Sequence, residues 1–335
     1  MVVGGEAEGA FVWEHGSLDS GPRVGGARRT LARTGPVVFQ SVTVEAAAEP
    51  ESRNPPPTAI AYVQSESVAA AAGRVRSCAR ARMGRFDDRT ILVIGASAGI
   101  GAALGQRLAA EGACVHLAAR RVERLKEIVS AIETAGGRAR AHACDLADAD
   151  STAALFRTLE QDGLVLDAIV NTAAVLWVEP FVDQVEDRWN RMLATNLGGA
   201  MRVTQHALRA MLPRDAGHIL HLTSTAAGLP IPMLAVYSAT KAGLSHFLAA
   251  LRGEYGRSRV RFTELRIGNT GGTEAGGAAE AGITAEAGAQ LMRWTGLPEM
   301  LAVEDVVEAA VFILASPPHV RLDLLVVRER AEIPT

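Results

Sequence analysis

The chain has 335 residues, 48% of them apolar and 21% charged, a balance typical of a globular protein with a sizeable core. Its net charge of −3 argues against a nucleic-acid-binding surface and against a basic membrane-binding surface. Three scattered cysteines are too few for a disulfide framework or a zinc site. No apolar run is long enough to span a bilayer, and no secretory signal is evident. We therefore expect a cytoplasmic location by default.

Residues 1–82 differ in composition from the rest of the chain. They are rich in Gly, Ala, Arg and Pro and show no sustained helical or strand periodicity, although residues 37–44 could form an isolated strand. We expect a disordered extension. A true start of translation at Met83 is an alternative, and a transit peptide is a weaker one because acidic residues nearly balance the arginines.

From residue 83 onward, apolar strands alternate with amphipathic helices. The pattern predicts strands at 90–94, 114–118, 138–143, 165–171, 218–223, 260–265 and 322–327. It predicts helices at 99–111, 122–135, 151–161, 184–211, 236–255 and 303–314. Near-continuous apolar strands separated by helices indicate one α/β domain, residues 83–335, with a parallel sheet covered on both faces.

The first predicted strand runs into a glycine-rich turn, Gly95-Ala96-Ser97-Ala98-Gly99-Ile100-Gly101, and a helix follows. Glycine allows a close backbone approach, and a helix N-terminus attracts phosphate. The spacing differs from the best-known dinucleotide fingerprint, and a tight helix–strand contact would look similar. The position at the head of a strand–helix–strand unit favours a nucleotide site, with cofactor-binding candidates Gly95, Ser97, Gly99, Ile100 and Gly101.

The end of the second strand bears on the choice of cofactor. NAD sites place an acidic residue about 20 positions after the glycines, where it binds the ribose hydroxyls. Here Arg120 lies 19 residues after Gly101, and Arg121 follows. A guanidinium can hold the 2′-phosphate of NADP, so we predict NADP, with NAD as the alternative. A solvent-exposed helix start is the competing explanation of both arginines.

Tyr237 and Lys241 form the most informative pair of residues in the chain. Their i,i+4 spacing places both side chains on one face of the predicted helix at 236–255. A nearby ammonium lowers the pKa of a phenol from its usual value of about 10. Only two of the 34 basic residues are lysines, and arginine replaces lysine poorly in such a role. We predict Tyr237 as the acid/base and Lys241 as its activator, rather than a chance surface pair.

Two further polar residues lie near this pair in the predicted topology. Ser224 is 13 residues before Tyr237, at the end of a strand, where a hydroxyl can polarise a substrate carbonyl. Asn196 lies inside the predicted helix 184–211, although asparagine is a poor helix former. Its side chain could expose a backbone carbonyl to water. A satisfied turn hydroxyl and an exposed helix asparagine are the respective alternatives.

Together these motifs make residues 83–335 resemble the short-chain dehydrogenase/reductase family. The family's glycine motif and its catalytic asparagine, serine, tyrosine and lysine match Gly95, Gly99, Gly101, Asn196, Ser224, Tyr237 and Lys241. The resemblance implies a Rossmann-like, doubly wound parallel sheet of about seven strands in the order 3-2-1-4-5-6-7, with helices on both faces. It also implies that the lysine holds the nicotinamide ribose and that the asparagine supports a proton-relaying water.

The resemblance extends to three weaker matches. The family's adenine-binding acid corresponds to Asp145, and its Asn-Asn-Ala-Gly motif corresponds in part to the stretch that begins at Asn171. Its carboxamide-binding threonine corresponds to Thr270 or Thr273. Thr172 and Ala174 depart from the Asn and Gly of the motif, which changes the hydrogen bonding expected behind the nicotinamide.

The predicted function is the NAD(P)-dependent interconversion of a carbonyl and a secondary alcohol. A non-catalytic NADP-binding sensor or scaffold is the alternative, and an enoyl reductase would by family analogy carry a wider Tyr–Lys spacing. The predicted partner is a small carbonyl or alcohol substrate, with no nucleic acid, membrane or metal. Candidate pocket walls, which core packing explains equally well, are Trp177, Met233, Met292 and Trp294. Apolar residues on several faces of the helices at 184–211 and 236–255 predict a homo-tetramer or homo-dimer.

Overall fold

A computed structural model of the chain describes residues 61–62, 84–273, 289 and 300–330. The strands of the domain are β1 (Thr90–Ile94), β2 (Cys114–Ala119), β3 (Arg138–Ala143), β4 (Ala168–Asn171), β5 (Gly217–Ser224), β6 (Val260–Ile267) and β7 (Leu324–Val327). The α-helices are α1 (Gly99–Ala110), α2 (Val122–Thr134), α3 (Ala149–Gln161), α4 (Glu186–Met192), α5 (Ala200–Met211), α6 (Ala235–Glu254) and α7 (Val303–Leu314).

The seven strands lie in the order β3-β2-β1-β4-β5-β6-β7, and every neighbouring pair is parallel. This confirms the doubly wound sheet and its predicted order. A two-residue strand, Ala61–Tyr62, pairs with β7 and adds an eighth member at that edge. The predicted disorder of the remainder of residues 1–82 and the strand suggested at 37–44 lie outside the described residues.

Both faces of the sheet are covered, and the central strands are therefore apolar throughout. In β1, Ile91 and Val93 belong to the core shared with α1, α2 and α7. Leu92 and Ile94 alternate with them and belong to the core shared with α3 and α5. All four side chains are at most 1% exposed. Burial on two faces explains why β1 has a continuous apolar run instead of the alternation of a half-buried strand.

The long helix predicted at 184–211 begins two residues later, at Glu186, and is interrupted in the middle. A π-helical segment, Leu193–Gly199, separates α4 from α5 and contains Asn196. Such wide turns leave the regular i→i−4 ladder and occur often at functional sites. The strand predicted from residue 165 is also shorter, since β4 begins at Ala168 and Val165 is 59% exposed.

Candidate active site

The predicted site residues gather at the carboxyl edge of the sheet. Because the strands are parallel, the ends of β1, β4 and β5 point the same way, and β4 pairs with β1 and β5. The chain order reverses between β1 and β4, and ligands bind at such switch points in open α/β sheets. Asn171 ends β4, Ser224 ends β5, and the glycine turn follows β1.

The glycine turn packs so closely on the segment after β4 that side chains are excluded from it. Gly95 has a φ of +87°, and a Cβ there would lie 2.6 Å from the backbone nitrogen of Ala173. A Cβ on Gly101 would lie 2.6 Å from Oγ1 of Thr172. Thr172 in turn donates its hydroxyl hydrogen bond to the carbonyl of Ile94 at 2.8 Å. Thr172, which stands where the family has asparagine, therefore fastens the end of β4 to the glycine turn.

The start of α1 fits a phosphate group. Its N-cap residue, Ala98, has no side chain that accepts a hydrogen bond from the first turn. The N–H groups of that turn are therefore oriented towards a ligand position without a competing cap. Ser97 is 8% exposed, and its hydroxyl accepts from Nη2 and Nε of Arg121 at 2.9 and 3.2 Å. A small backbone cradle, a hydroxyl and guanidinium groups are a suitable set for a dinucleotide phosphate.

Asp145 lies close to these cations and carries a partner that the sequence did not indicate. Arg191 of α4 donates from Nη2 to Oδ2 of Asp145 at 2.7 Å, and the backbone of Ala147 donates to Oδ1 at 3.0 Å. Partial burial is the largest single influence on this carboxyl and raises its pKa, but the hydrogen bonds from Arg191 and Ala147 and the charges of Arg191 and Arg120 together outweigh it. The pKa of Asp145 is therefore below its ordinary value. Arg191 lies 46 positions away, so no local pattern could reveal the pair.

Asn196 is 1% exposed and fastens the π-helical segment to its neighbours. Its Oδ1 accepts from the backbone nitrogen of Val175 at 2.8 Å, and its Nδ2 donates to the carbonyl of the same residue at 2.8 Å. Nδ2 also donates to Thr240 of α6 at 3.3 Å. The asparagine thus joins the segment after β4 to the helix that carries Tyr237 and Lys241, and it is not an exposed helix residue.

Asn171 lies behind the site in a buried polar chain. Its Nδ2 lies 3.2 Å from Nδ1 of His221, and its Oδ1 accepts from the backbone nitrogen of Ala173 at 3.1 Å. His221 reaches Thr204 of α5 through Nε2 at 2.8 Å. Burial, aided by the charge of Lys241, lowers the pKa of His221 to about 3. The imidazole is therefore neutral and holds β4, β5 and α5 together.

Ser224, Tyr237 and Lys241 meet beyond the end of β5. The ammonium of Lys241 lies 5.6 Å from the ring centre of Tyr237 and donates to the carbonyl of Leu222 at 3.1 Å. The hydroxyl of Ser224 acts on the phenol of Tyr237, whose pKa it lowers, and it accepts a hydrogen bond from the backbone nitrogen of Ala226 at 3.2 Å. The predicted proximity of the three residues is thus present in the structure.

The protonation of this group differs from the expectation. Removal of water around the phenol raises the pKa of Tyr237 to about 12, and the hydroxyl of Ser224 only partly opposes that rise. Burial also lowers the pKa of Lys241 to about 8, against the opposing charge of Glu264. The expected lowering of the tyrosine pKa is absent because burial of the phenol outweighs the opposing effect of Ser224. Desolvation dominates both groups.

Two threonines follow β6, and their positions distinguish them. Thr270 donates its hydroxyl hydrogen bond to the carbonyl of Gly268 at 3.1 Å. Thr273 donates to the carbonyl of Thr270 at 3.3 Å. A Cβ on Gly99 would lie 3.4 Å from Cα of Thr273, so Thr273 is the threonine that lies against the glycine turn.

A small apolar cluster packs against Tyr237. Val178 and Leu234 are buried, and the half-buried residues packed against them are Leu176, Ile231, Met233 and Tyr237. Met233 adopts a left-handed backbone with a φ of +65°, an uncommon conformation that often occurs at functional sites. Trp177 is half-buried next to this cluster in the chain, while Met292 and Trp294 lie outside the described residues.

The described residues contain no helix long and apolar enough to cross a bilayer. In the same part of the chain, no group of three or more His, Cys, Asp or Glu side chains is arranged to bind a metal ion.

Several proteins are similar to this chain in sequence. A 3beta-hydroxysteroid dehydrogenase of Mediterraneibacter gnavus is 34% identical over 52% of this chain and 63% of its own length. An NADP-dependent 3-hydroxy acid dehydrogenase of Salmonella typhi is 30% identical over 70% of this chain and 92% of its own length. The chain spans only 19% of a glycine betaine reductase of Emericella nidulans.

Solved structures agree with these relatives. The closed form of a serine dehydrogenase complexed with NADP+ superimposes with a TM-score of 0.66 at 28% identity, covering 73% of this chain and 96% of that one. The short chain dehydrogenase family profile matches residues 89–282, which is more than half of the chain. The chain therefore belongs to the short-chain dehydrogenase/reductase family of oxidoreductases, as its motifs predicted.

Proposed function

We propose that this oxidoreductase interconverts a carbonyl and a secondary alcohol with NADP(H), using Tyr237 as its acid/base. The observation that carries the proposal is the convergence of Ser224, Tyr237 and Lys241 beyond the end of β5, at the same edge of the sheet as the glycine turn. Binding alone does not require an ionisable hydroxyl at this position, which weighs against a sensor or scaffold.

NADP(H) is the cofactor of the proposal. The serine dehydrogenase structure contains NADP+, and a metagenomic family member was also solved with NADP. The uncapped start of α1 would hold the pyrophosphate, and Arg120 and Arg121 would meet the 2′-phosphate. Asp145, fixed by Arg191, would face the adenine, and Thr273 or Thr270 the carboxamide. When bound, NADPH supplies the reducing equivalent that the protein side chains lack.

The protein residues supply the proton and the electrostatic environment. With a pKa of about 12, Tyr237 is protonated at neutral pH and is ready to donate to a carbonyl oxygen. Ser224 bonds the same oxygen and stabilises its developing charge. Lys241 contributes a buried positive charge 5.6 Å from the ring. This charge stabilises the phenolate that forms when Tyr237 gives up its proton. Asn196 joins the π-helical segment to Val175 and to Thr240 of α6, and a water held there would return the proton.

The direct test follows NADPH absorbance while the purified protein is mixed with a panel of ketones and aldehydes. Tyr237→Phe should lower turnover by about 10²–10⁴-fold, the usual contribution of general acid–base catalysis, while NADPH binding persists. Tyr255→Phe, at the far end of α6, is the matched control and should retain activity. NADPH binding without turnover on any carbonyl would instead favour the sensor.

The raised tyrosine pKa gives the proposal a pH signature. Alcohol oxidation requires the phenolate, whose population rises about tenfold per pH unit below the pKa. Oxidation should therefore accelerate as the pH rises from neutrality to about 8, the pKa of Lys241, above which the lysine loses the charge that stabilises the phenolate. Reduction uses the neutral phenol and should not show that rise. An oxidation rate independent of pH between pH ~6 and pH ~8 would contradict this role of Tyr237.

The proposal includes a homo-dimer or homo-tetramer. A groove of about 640 Å³ runs between α5 and α6 on the outside of the domain. Its apolar lining includes Met201, Leu208, Leu212 and Phe247. Met201 is 37% exposed, and pairing with a second copy would remove such surface from water. The substrate is a small carbonyl or alcohol compound, and the cytoplasmic location stays a prediction.

A further inference from the structure

A buried carboxylate lies directly behind the serine and lysine. Glu264 of β6 is 1% exposed. Its Oε1 accepts from the hydroxyl of Thr223 at 2.6 Å and from Nε of Arg266 at 3.0 Å, and its Oε2 accepts from the hydroxyl of Ser245 at 2.8 Å. Arg266 also donates to Ser245 at 2.9 Å. Ionised carboxylates are rarely buried unless they are paired in this way.

The contacts of Glu264 connect the two elements that carry the proposed chemistry. Thr223 immediately precedes Ser224 on β5 and is paired with Arg266 across the β5–β6 ladder. Ser245 lies one helical turn after Lys241 on α6, on the same face of that helix. The carboxylate therefore spans the strand that ends in the serine and the helix that presents the lysine.

The charge of Glu264 also acts on Lys241. The lysine is 3% exposed, and its ammonium donates to Leu222, the residue before Thr223. Glu264 opposes the fall in the lysine pKa that burial causes. The ammonium lies 5.6 Å from the ring centre of Tyr237 on α6, and its charge acts on His221 of β5. The phenol and the imidazole are both neutral near neutral pH. The cations near Glu264 are Arg266, which is paired with it, and Arg252 of α6, on whose pKa its charge acts.

We propose that Glu264 is a positioning residue of the site, which joins the serine strand to the lysine helix and supplies the buried negative charge that keeps Lys241 protonated. This inference rests on the proposed function for its catalytic meaning. The effect of Glu264 on the protonation of Lys241 can be measured without an activity assay, because the chain has only two lysines, Lys241 and the exposed Lys126.

The test is a titration by NMR of the full-length protein labelled with [ε-¹³C]lysine. Two lysine resonances are expected, and Lys126→Arg assigns them. Glu264→Gln should move the Lys241 midpoint down by about one pH unit, the usual effect of removing a close opposite charge, and leave Lys126 in place. Glu160→Gln, an exposed site at the end of α3, is the matched control and should move neither midpoint.

Kinetics provide the second measurement. Because the lysine in Glu264→Gln loses its proton at lower pH, carbonyl reduction should decline on the basic side at a lower pH than in the wild type. Glu264→Asp keeps the charge but withdraws it by one methylene from Thr223 and Ser245. In this variant the midpoint of the Lys241 titration should stay close to the wild-type value. Its kcat should fall by about tenfold or more, since small displacements of groups in an active site are costly.

The outcomes separate the two proposals. An unchanged Lys241 midpoint in Glu264→Gln, or an equal shift in Glu160→Gln, overturns the electrostatic role. If circular dichroism shows that Glu264→Gln does not fold, Glu264→Asp becomes the decisive variant. A wild-type kcat in Glu264→Asp then overturns the positioning role. If the wild type reduces no carbonyl but Glu264→Gln still shifts Lys241, the proposed function fails while the charge coupling of Glu264 stands.

Discussion

The close packing of the glycine turn predicts a large and specific effect of Gly95→Ala. Gly95 and Gly136 have nearly the same left-handed backbone, with φ of +87° and +85°. An alanine in this region costs about 1–2 kcal/mol at either position. The surroundings differ, because a Cβ on Gly136 meets nothing within 4 Å, whereas one on Gly95 meets the backbone of Ala173 at 2.6 Å and Thr172 at 2.7 Å.

The difference between the two variants isolates the cost of the close approach. Backbone atoms cannot rotate away, so overpacking should add about 1–3 kcal/mol at Gly95. Gly136→Ala should therefore lose about 1–2 kcal/mol of unfolding free energy, and Gly95→Ala about 2–5 kcal/mol. Urea denaturation followed by circular dichroism measures both values.

Cofactor binding provides the functional half of the same comparison. Gly95→Ala displaces the start of α1, so NADPH affinity measured by fluorescence titration should fall by about tenfold or more, equivalent to about 1.4 kcal/mol. Gly136→Ala should bind normally. Equal destabilisation of the two variants, or normal NADPH affinity in Gly95→Ala, would refute the inference that this glycine is required by the turn and its ligand.

Four further outcomes are expected. Arg120→Ala should weaken NADPH binding and leave NADH nearly unaffected in parallel titrations; an equal loss for both would exclude a 2′-phosphate contact. Lys241→Arg should impair turnover and NADPH affinity together, because a planar guanidinium cannot occupy the ammonium position. A chain starting at Met83 should fold and remain active despite losing the short strand beside β7, as circular dichroism and the carbonyl assay would show. Met201→Asp should dissociate the proposed oligomer in light scattering, whereas a wild-type monomer at micromolar concentration would contradict the oligomer itself.

Much of the fold could be predicted from local pattern. The strands and helices followed from hydrophobic periodicity, and the order of the strands followed from the family resemblance. Tyr237 and Lys241 could be paired because a helix repeats its faces every three to four residues. The glycine turn could be located because it lies between a strand and a helix, and the asparagine at 196 was expected to disturb its helix, which it does as part of a π-helical segment.

The contacts that define the site came only from the tertiary structure. Asp145 and Arg191 are 46 positions apart, and Thr223 and Glu264 are 41 apart, so no periodicity relates them. The direction of the Tyr237 pKa was predicted wrongly because spacing indicates that a lysine is near but not how much water surrounds the phenol.

The sequence by itself determined which segments form strands and helices and which residues share a helix face, since backbone hydrogen bonding makes these properties local. Only the tertiary structure decided which side chains are desolvated and which partners meet them. Burial and long-range pairing depend on how the sheet and helices pack, and they set the protonation of Tyr237, Lys241 and their neighbour Glu264.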